Sequence, residues 1–521
     1  MIMNIARRFV SVLVSAVVAL GALCETADSL YTNPIIHADY SDPDVIRTSE
    51  GYWMVASSFT SFPGIPVLFS PDLIHWRIAG HVYGSLPTGG YERPAHGRGS
   101  WAPAIREHDG RFYIYFCTPD EGLFVAVAPH PTGPYELTQM ADAAKWEDPC
   151  PFWDDDGNAY LIRSVHRGGP AIIHRMSPDG MRLLDDGVTV YHDPEVNPVL
   201  EGMKMMKRDG WYYILAPAGG VSHGWQTVLR SRNIYGPYEQ RRVLEEGGDS
   251  GINGPHQGAL VDTPDGREWW FVHFQSKGIH GRIVNLQPAR FTPDGWIEMG
   301  AGGHPVASHR RPAIAVSGPL PEMQTTDLFT DSVLGLQWQW QANPRPRWHS
   351  LTERPGWLCL NAENCPTEGG NLYYAPNLLL QKLPAEHFRA TAVVEPEFAD
   401  SLARAGLVMF GQEYSYIALS ADSIMVCRGK GDKRFPAGVS VDASVPRLSE
   451  KLWLRVELDG GEECRYSYST DGEEFRPLGQ PQKVAPGVWT GAKVGLFCIT
   501  PSVVPSDSRA WFDSFVIEPI R

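Results

Sequence analysis

Three things are scarce in this 521-residue chain: cysteine, uncompensated positive charge and long apolar runs. The eight cysteines (Cys24, Cys117, Cys150, Cys359, Cys365, Cys427, Cys464 and Cys498) are scattered. They form no Cys-x-x-Cys pair and no framework of short spacings, which excludes a metal clip or a disulfide scaffold. Most read as small buried apolar residues, with one pair in the C-terminal half left open. Sixty acidic side chains against 45 basic ones give a net charge of −15, with no basic stripe. Nucleic acid is therefore excluded as a partner. One apolar run, Phe9 to Leu23, approaches membrane length, but about fifteen residues fall short of the roughly twenty needed. Arg7-Arg8 precedes it and small or polar residues follow, so residues 1–27 read as a secretory signal peptide. The mature protein is then expected to be secreted or periplasmic, with no membrane span. Cys24 raises a lipoprotein as the lesser alternative, although Leu23 stands where a small residue is required.

What the chain has in quantity is aromatic residues and hairpin turns. Ser41-Asp42-Pro43-Asp44-Val45-Ile46-Arg47 runs into Gly51-Tyr52-Trp53, which reads as strand, tight turn and strand. The unit returns at Asp109-Gly110, Asp156-Gly157, Asp209-Gly210 and Asp265-Gly266, each followed within four residues by an aromatic. The turn glycines are spaced by 59, 47, 53 and 56 positions. Five copies at a period near fifty predict an all-β fold whose first domain, residues 30–310, is a five-bladed β-propeller. Gly133-Pro134-Tyr135-Glu136 and its echo Gly236-Pro237-Tyr238-Glu239 support the repeat.

Residues 311–325 are rich in proline and alanine and read as a linker. Beyond it, residues 326–521 carry short strand-like runs such as Leu452-Trp453-Leu454-Arg455-Val456 between Asp-Gly turns. No fifty-residue repeat continues there, so a β-sandwich of the jelly-roll kind is expected.

Nine positions before the first four turn glycines stand Asp42, Trp101, Asp148 and Glu201, and ten before the fifth stands His256. Equivalent positions on innermost propeller strands surround one axis, so these five should meet at one end of the central channel. Cleaving a glycosidic bond needs an acid to protonate the leaving oxygen and a second carboxylate across the sugar; a third, near the acid, keeps it protonated. Asp193-Pro194-Glu195 is a decoy of similar type, since no Asp-Gly-aromatic turn follows it.

The blade strings make the match specific. Ser41-Asp42-Pro43-Asp44, Trp101-Ala102-Pro103, Glu147-Asp148-Pro149 with Asp154-Asp155-Asp156-Gly157, Leu200-Glu201-Gly202 and Asn253-Gly254-Pro255-His256 together resemble glycoside hydrolase family 43. The resemblance covers the whole propeller, and a following concanavalin A-like sandwich is common in that family. It implies an inverting O-glycosyl hydrolase of the β-xylosidase or α-L-arabinofuranosidase type, acting on plant cell-wall polysaccharide or oligosaccharide such as xylan or arabinoxylan. It further implies Asp42 as general base, Glu201 as general acid and Asp148 as the residue tuning and orienting that acid. Trp101 and Phe59 would wall the sugar pocket, Arg282 would bond its floor, and His256 would lie beneath the sugar. In that family such a histidine often holds a central structural calcium ion through water. The chain departs from the family at Met203, where proline is usual, and at Asn285, where histidine is frequent.

Two alternatives belong to other classes. A retaining fructan hydrolase shares the architecture, but its Asn-Asp-Pro-Asn and Arg-Asp-Pro strings are replaced here by Ser41-Asp42-Pro43-Asp44 and Glu147-Asp148-Pro149. A non-catalytic sugar-binding propeller would be favoured by the loss of a carboxylate, and all three are present. The loops Tyr83 to Arg98 and Ala218 to Gln226 are the candidate pocket rim. Oligomeric state is not legible.

Overall fold

The computed structural model describes residues 29–365, 367, 369–431 and 438–520. The signal-peptide reading, with Arg7-Arg8 and Cys24, lies outside the described residues. Among those described the regular structure is strand apart from three single-turn 3-10 helices, and no helix is long and apolar enough to cross a membrane.

Five four-stranded antiparallel sheets form the propeller, each a simple meander of consecutive strands. Their innermost strands are Asp44–Arg47, Trp101–His108, Trp146–Trp153, Lys204–Arg208 and His256–Asp262. Four of the Asp-Gly pairs close hairpins between first and second strands, and Gly51 does so in blade one. The reason is local: Asp109 and Asp209 adopt left-handed backbone, as do Gly110, Gly157, Gly210 and Gly266. Turns of that hand match the strand twist. Middle strands such as Gly122–Ala128 are buried throughout, because both faces of a blade pack on neighbouring blades.

Each blade is complete in itself, so no shared strand closes the ring. Closure comes from the N-terminal segment instead. Leu30–Thr32 pairs with Ser308–Arg310, Ile36 bridges Val284, and the Asn33 side chain bonds both N and O of Leu286. Between blades one and five, Arg47 holds the Asp262 carboxylate with two bonds of 2.8 and 3.1 Å.

Two large sheets, antiparallel except where Glu363–Asn364 pairs in parallel with Lys493–Thr500, make the sandwich around an apolar core. Strand Leu452–Asp459 alternates buried and half-buried residues, with Leu452, Leu454, Val456 and Leu458 inward, as a one-sided sheet requires. Residues 311–325 form no strand, yet they dock on blade five through Ala313 N–H to Glu268. The sandwich docks against blades one and five, with paired main-chain bonds between Phe62 and Trp340 and a 2.7 Å bond from Ala492 N–H to Ile279 O. All seven described cysteines are unpaired and buried, so the pair left open in the C-terminal half does not form.

Candidate active site

At one end of the channel every innermost strand breaks register against its neighbour. Main-chain pairings join Ser41 with Ser57, Trp101 with Cys117, Glu147 with Ser164, Glu201 with Pro217 and His256 with Phe274. Immediately after each stands a residue of positive φ: Asp42 (56°), Ala102 (36°), Asp148 (56°), Gly202 (61°) and Gln257 (44°). These five kinks are the equivalent positions, which corrects the register expected from counting back. The kink lies nine residues before the turn glycine in blades one, three and five but eight in blades two and four. Hence Trp101, Glu201 and His256 stand one place before the kink, level with Ser41 and Glu147, while Asp42 and Asp148 occupy it.

The kinked ends surround a cavity of about 400 Å³. Asp42, Asp148, Glu201, Phe59, Trp101 and Arg282 all line it, and His256 lies fully buried beneath. Both oxygens of Asp42 are fixed, one by Arg282 Nη1 at 2.7 Å and the other by the Ser57 hydroxyl at 2.6 Å. A guanidinium at that distance forms a charge-assisted hydrogen bond with the carboxylate. Asp148 accepts Gly202 N–H at 2.6 Å and so grips the residue after Glu201. Only glycine fits there, because a Cβ would lie 2.7 Å from both Gln257 and Pro217.

Glu201 is set differently from Asp42. Its side chain is 17% exposed, its Oε1 lies 3.4 Å from His256 Nε2, and it has no cationic partner in contact. Burial, then the charge of Asp148, raises its pKa, with Arg282 opposing. Asp148 is raised too, first by burial and then by Asp42, against the Gly202 N–H. Burial, with Arg282 and His273 adding to it, pushes His256 down to about 3, so the ring beside Glu201 is neutral.

Trp101 donates Nε1–H to Gly97 O at 3.0 Å, which fixes one wall. Phe59, at φ 49°, bonds Ser100 through its main chain and lies under the Arg282 guanidinium, 5.9 Å from ring centre.

His166, Arg167 and Val199 line the cavity without having been singled out in the sequence, and two further lining residues bear on its chemistry and shape. Glu147 was visible only as the neighbour of Asp148, yet it lines the cavity level with Glu201. It accepts Gly168 N–H at 3.1 Å and contacts His166 Nδ1 at 3.3 Å. Burial and then Asp148 raise its pKa. Oxygens of Glu147, Asp148 and Glu201 lie within 4.8 Å of one another, a set that can share protons or hold a cation. The other is Trp489, from the sandwich, 49% exposed and at φ 64°. Its loop fits against Gly97, where a Cβ would lie 2.5 Å from Val488. No signal nearby in sequence marks it. Of the expected rim loops, 218–226 supplies Gly220 and Val221, whereas 83–98 is largely taken up by the sandwich: His96 bonds Tyr373 O and Leu86 bonds Asn343.

Residues 31–297 match the model of the glycosyl hydrolases family 43. The chain belongs to that family. It is accordingly a glycoside hydrolase, and residues 326–518 match the beta-xylosidase C-terminal concanavalin A-like domain. A relative from Xylanibacter ruminicola is 44% identical over 91% of this chain and 87% of its own length. The beta-xylosidase of Formosa agariphila is 31% identical over 92% and 88%. The crystal structure of a family 43 protein from Bacillus licheniformis superposes with a TM-score of 0.83 at 25% identity, covering 94% of this chain and all of that one. The expected all-β fold, a five-bladed propeller followed by a concanavalin A-like domain, is thereby established.

Proposed function

We propose that this family 43 hydrolase is exported and releases xylose, arabinose or both from xylan or arabinoxylan-type glycans with inversion. Asp42 takes a proton from water as that water's oxygen bonds the anomeric carbon, while Glu201 delivers its proton to the departing glycosidic oxygen. Asp148 keeps Glu201 protonated and orients it through Gly202. Phe59 and Trp101 wall the sugar, and Arg282 holds Asp42. The observation that carries this reading is the contrast between two carboxyls in one cavity. Asp42 is bound to a guanidinium, whereas Glu201 stands beside a neutral imidazole and another acid with its pKa raised. The preference for pentose rests on the family and on the beta-xylosidase among its relatives.

The residues beneath the cavity fit a hydrated hard cation such as calcium. Neither ring nitrogen of His256 makes a hydrogen bond to the protein, and His273 Nε2 and both Asn285 side-chain atoms are likewise buried without one. Imidazole nitrogen suits calcium only through water, and a neutral ring can accept from that water. Such an ion would supply a positive field under the sugar.

Proton NMR of arabinoxylan oligosaccharide digestion tests the proposal, by showing which sugar appears and in which anomeric form. Pentose released with inverted configuration is expected; retention would make Asp42 a nucleophile, and no pentose release would direct the site to another glycan. N-terminal sequencing of the mature protein tests export, the expected start lying close after residue 27.

A further inference from the structure

Asp39 is buried, at 3% exposure, and lies outside the cavity. Three donors converge on its carboxylate. Oδ1 accepts the Ser41 hydroxyl at 2.9 Å and Arg282 N–H at 2.9 Å, and Oδ2 accepts Gly491 N–H at 3.0 Å. The three come from different places: the residue before Asp42, the residue whose guanidinium grips Asp42, and the sandwich loop that carries Trp489. Tyr40 N–H bonds Arg282 O at 3.1 Å, so residues 39 and 40 clamp the Arg282 main chain on both sides.

The approach of the two domains here is as close as backbone allows. A Cβ on Gly281 would lie 2.5 Å from Gly491 N and 2.6 Å from Asp39, and one on Gly491 would lie 2.7 Å from His280 C. The negative charge also partly offsets the burial of Lys382 and Lys493, both on the sandwich. A charged acceptor serving several donors holds position more firmly than neutral bonds do.

We propose that Asp39 is the positioning residue that locks the Trp489 loop of the sandwich to the Arg282–Asp42 pair, so that the second domain sets the shape of the sugar pocket. The proposal rests on the roles read above for Asp42 and Arg282. It gives the sandwich a part in the hydrolytic reaction that packing alone would not require.

Asp39→Asn isolates the link. The amide oxygen can still serve Ser41 and Arg282, but its NH2 then meets Gly491 N–H, donor against donor. The test is a double-mutant cycle on the full chain with an aryl β-xyloside and an aryl α-L-arabinofuranoside. It compares wild type, D39N, Trp489→Ala and the double variant, with Asp42→Asn in parallel and thermal unfolding of each. D39N and W489A are each expected to lose about tenfold in kcat/KM, chiefly through KM, and the double variant to fall no more than about twofold below W489A. Losses that multiply, a D39N enzyme with unchanged kcat/KM, or an inert W489A would each overturn the proposal. Full activity in D42N would instead overturn the catalytic reading, a separate result. Should D39N not fold, hydrogen exchange of the wild type decides: slow exchange at the Gly491 and Arg282 amides is expected, and fast exchange at either refutes the link.

Discussion

Propeller and sandwich are built from the same antiparallel strand, and they treat its backbone in opposite ways. Among the described residues, fourteen that are not glycine have positive φ; twelve fall in the propeller and two, Phe329 and Trp489, in the sandwich. Eight of the fourteen line the acidic cavity. Left-handed backbone costs a residue with a Cβ on the order of 1–2 kcal/mol, so it survives only where the surroundings impose it. The sandwich instead keeps extended strands, alternating in burial as in Leu452–Asp459 or buried almost throughout as in Lys493–Thr500. Both domains have buried apolar clusters, but the irregular strand ends that line the acidic cavity belong to the propeller. Trp489 fits the same division, since the sandwich residue that reaches the pocket also adopts the pocket's backbone.

This contrast can be broken at several points. The largest effect is expected from Glu201→Gln in the kinked region: a loss of about 10²–10⁴ in kcat/KM on natural glycosides, with much less on aryl glycosides whose leaving groups need little protonation. Equal losses on both would remove Glu201 from the acid role. In the regular region, Leu454→Ala should lower stability by about 2–5 kcal/mol in denaturant titration while leaving kcat of the folded enzyme unchanged. A kcat loss there would show the two domains to be less separate than their backbones suggest.

Glu147→Gln tests whether burial of acid in the pocket is carried at a cost to stability. The folded state raises this carboxyl, so the native chain binds the proton more tightly than the unfolded one. Its contribution is then complete below about pH 4.5 and is lost as pH rises toward about 9. The melting temperature of the variant should therefore gain on wild type across that window, and a gap that does not change with pH contradicts the assignment. Smallest is Ala102→Gly at the blade-two kink, expected to stabilise by about 0.5–1 kcal/mol, because relief of the left-handed backbone exceeds the added freedom of the unfolded chain. Destabilisation would mean that the kink carries no strain.

Much of this was legible in the chain, for identifiable reasons. Asp-Gly turns report themselves, since few other pairs adopt their backbone, and four of them, with Glu50-Gly51 at the same period, expose five blades. The position of the kink was less legible. A count from the turn reaches Asp42 and Asp148 correctly but misplaces Trp101 and Glu201 by one, because blades two and four are one residue shorter between kink and turn. Glu147 was passed over because the significance of an acid beside an acid depends on which of the two faces the cavity. The loop at 83–98 was assigned to the rim on length alone, whereas half-buried His96 and buried Leu86 are engaged by the sandwich.

Local composition therefore determined the strands, the turns, the blade count and the residue types capable of acid–base work, since each depends on neighbours within a few tens of positions. Only the tertiary structure decided which carboxyl is paired with a cation and which is left beside a neutral histidine. Arg282 and Asp42 are 240 residues apart, and Gly491 and Asp39 are 452 apart. Burial and electrostatic neighbours set the same carboxyl group in opposite surroundings, and both are properties of the folded chain in three dimensions.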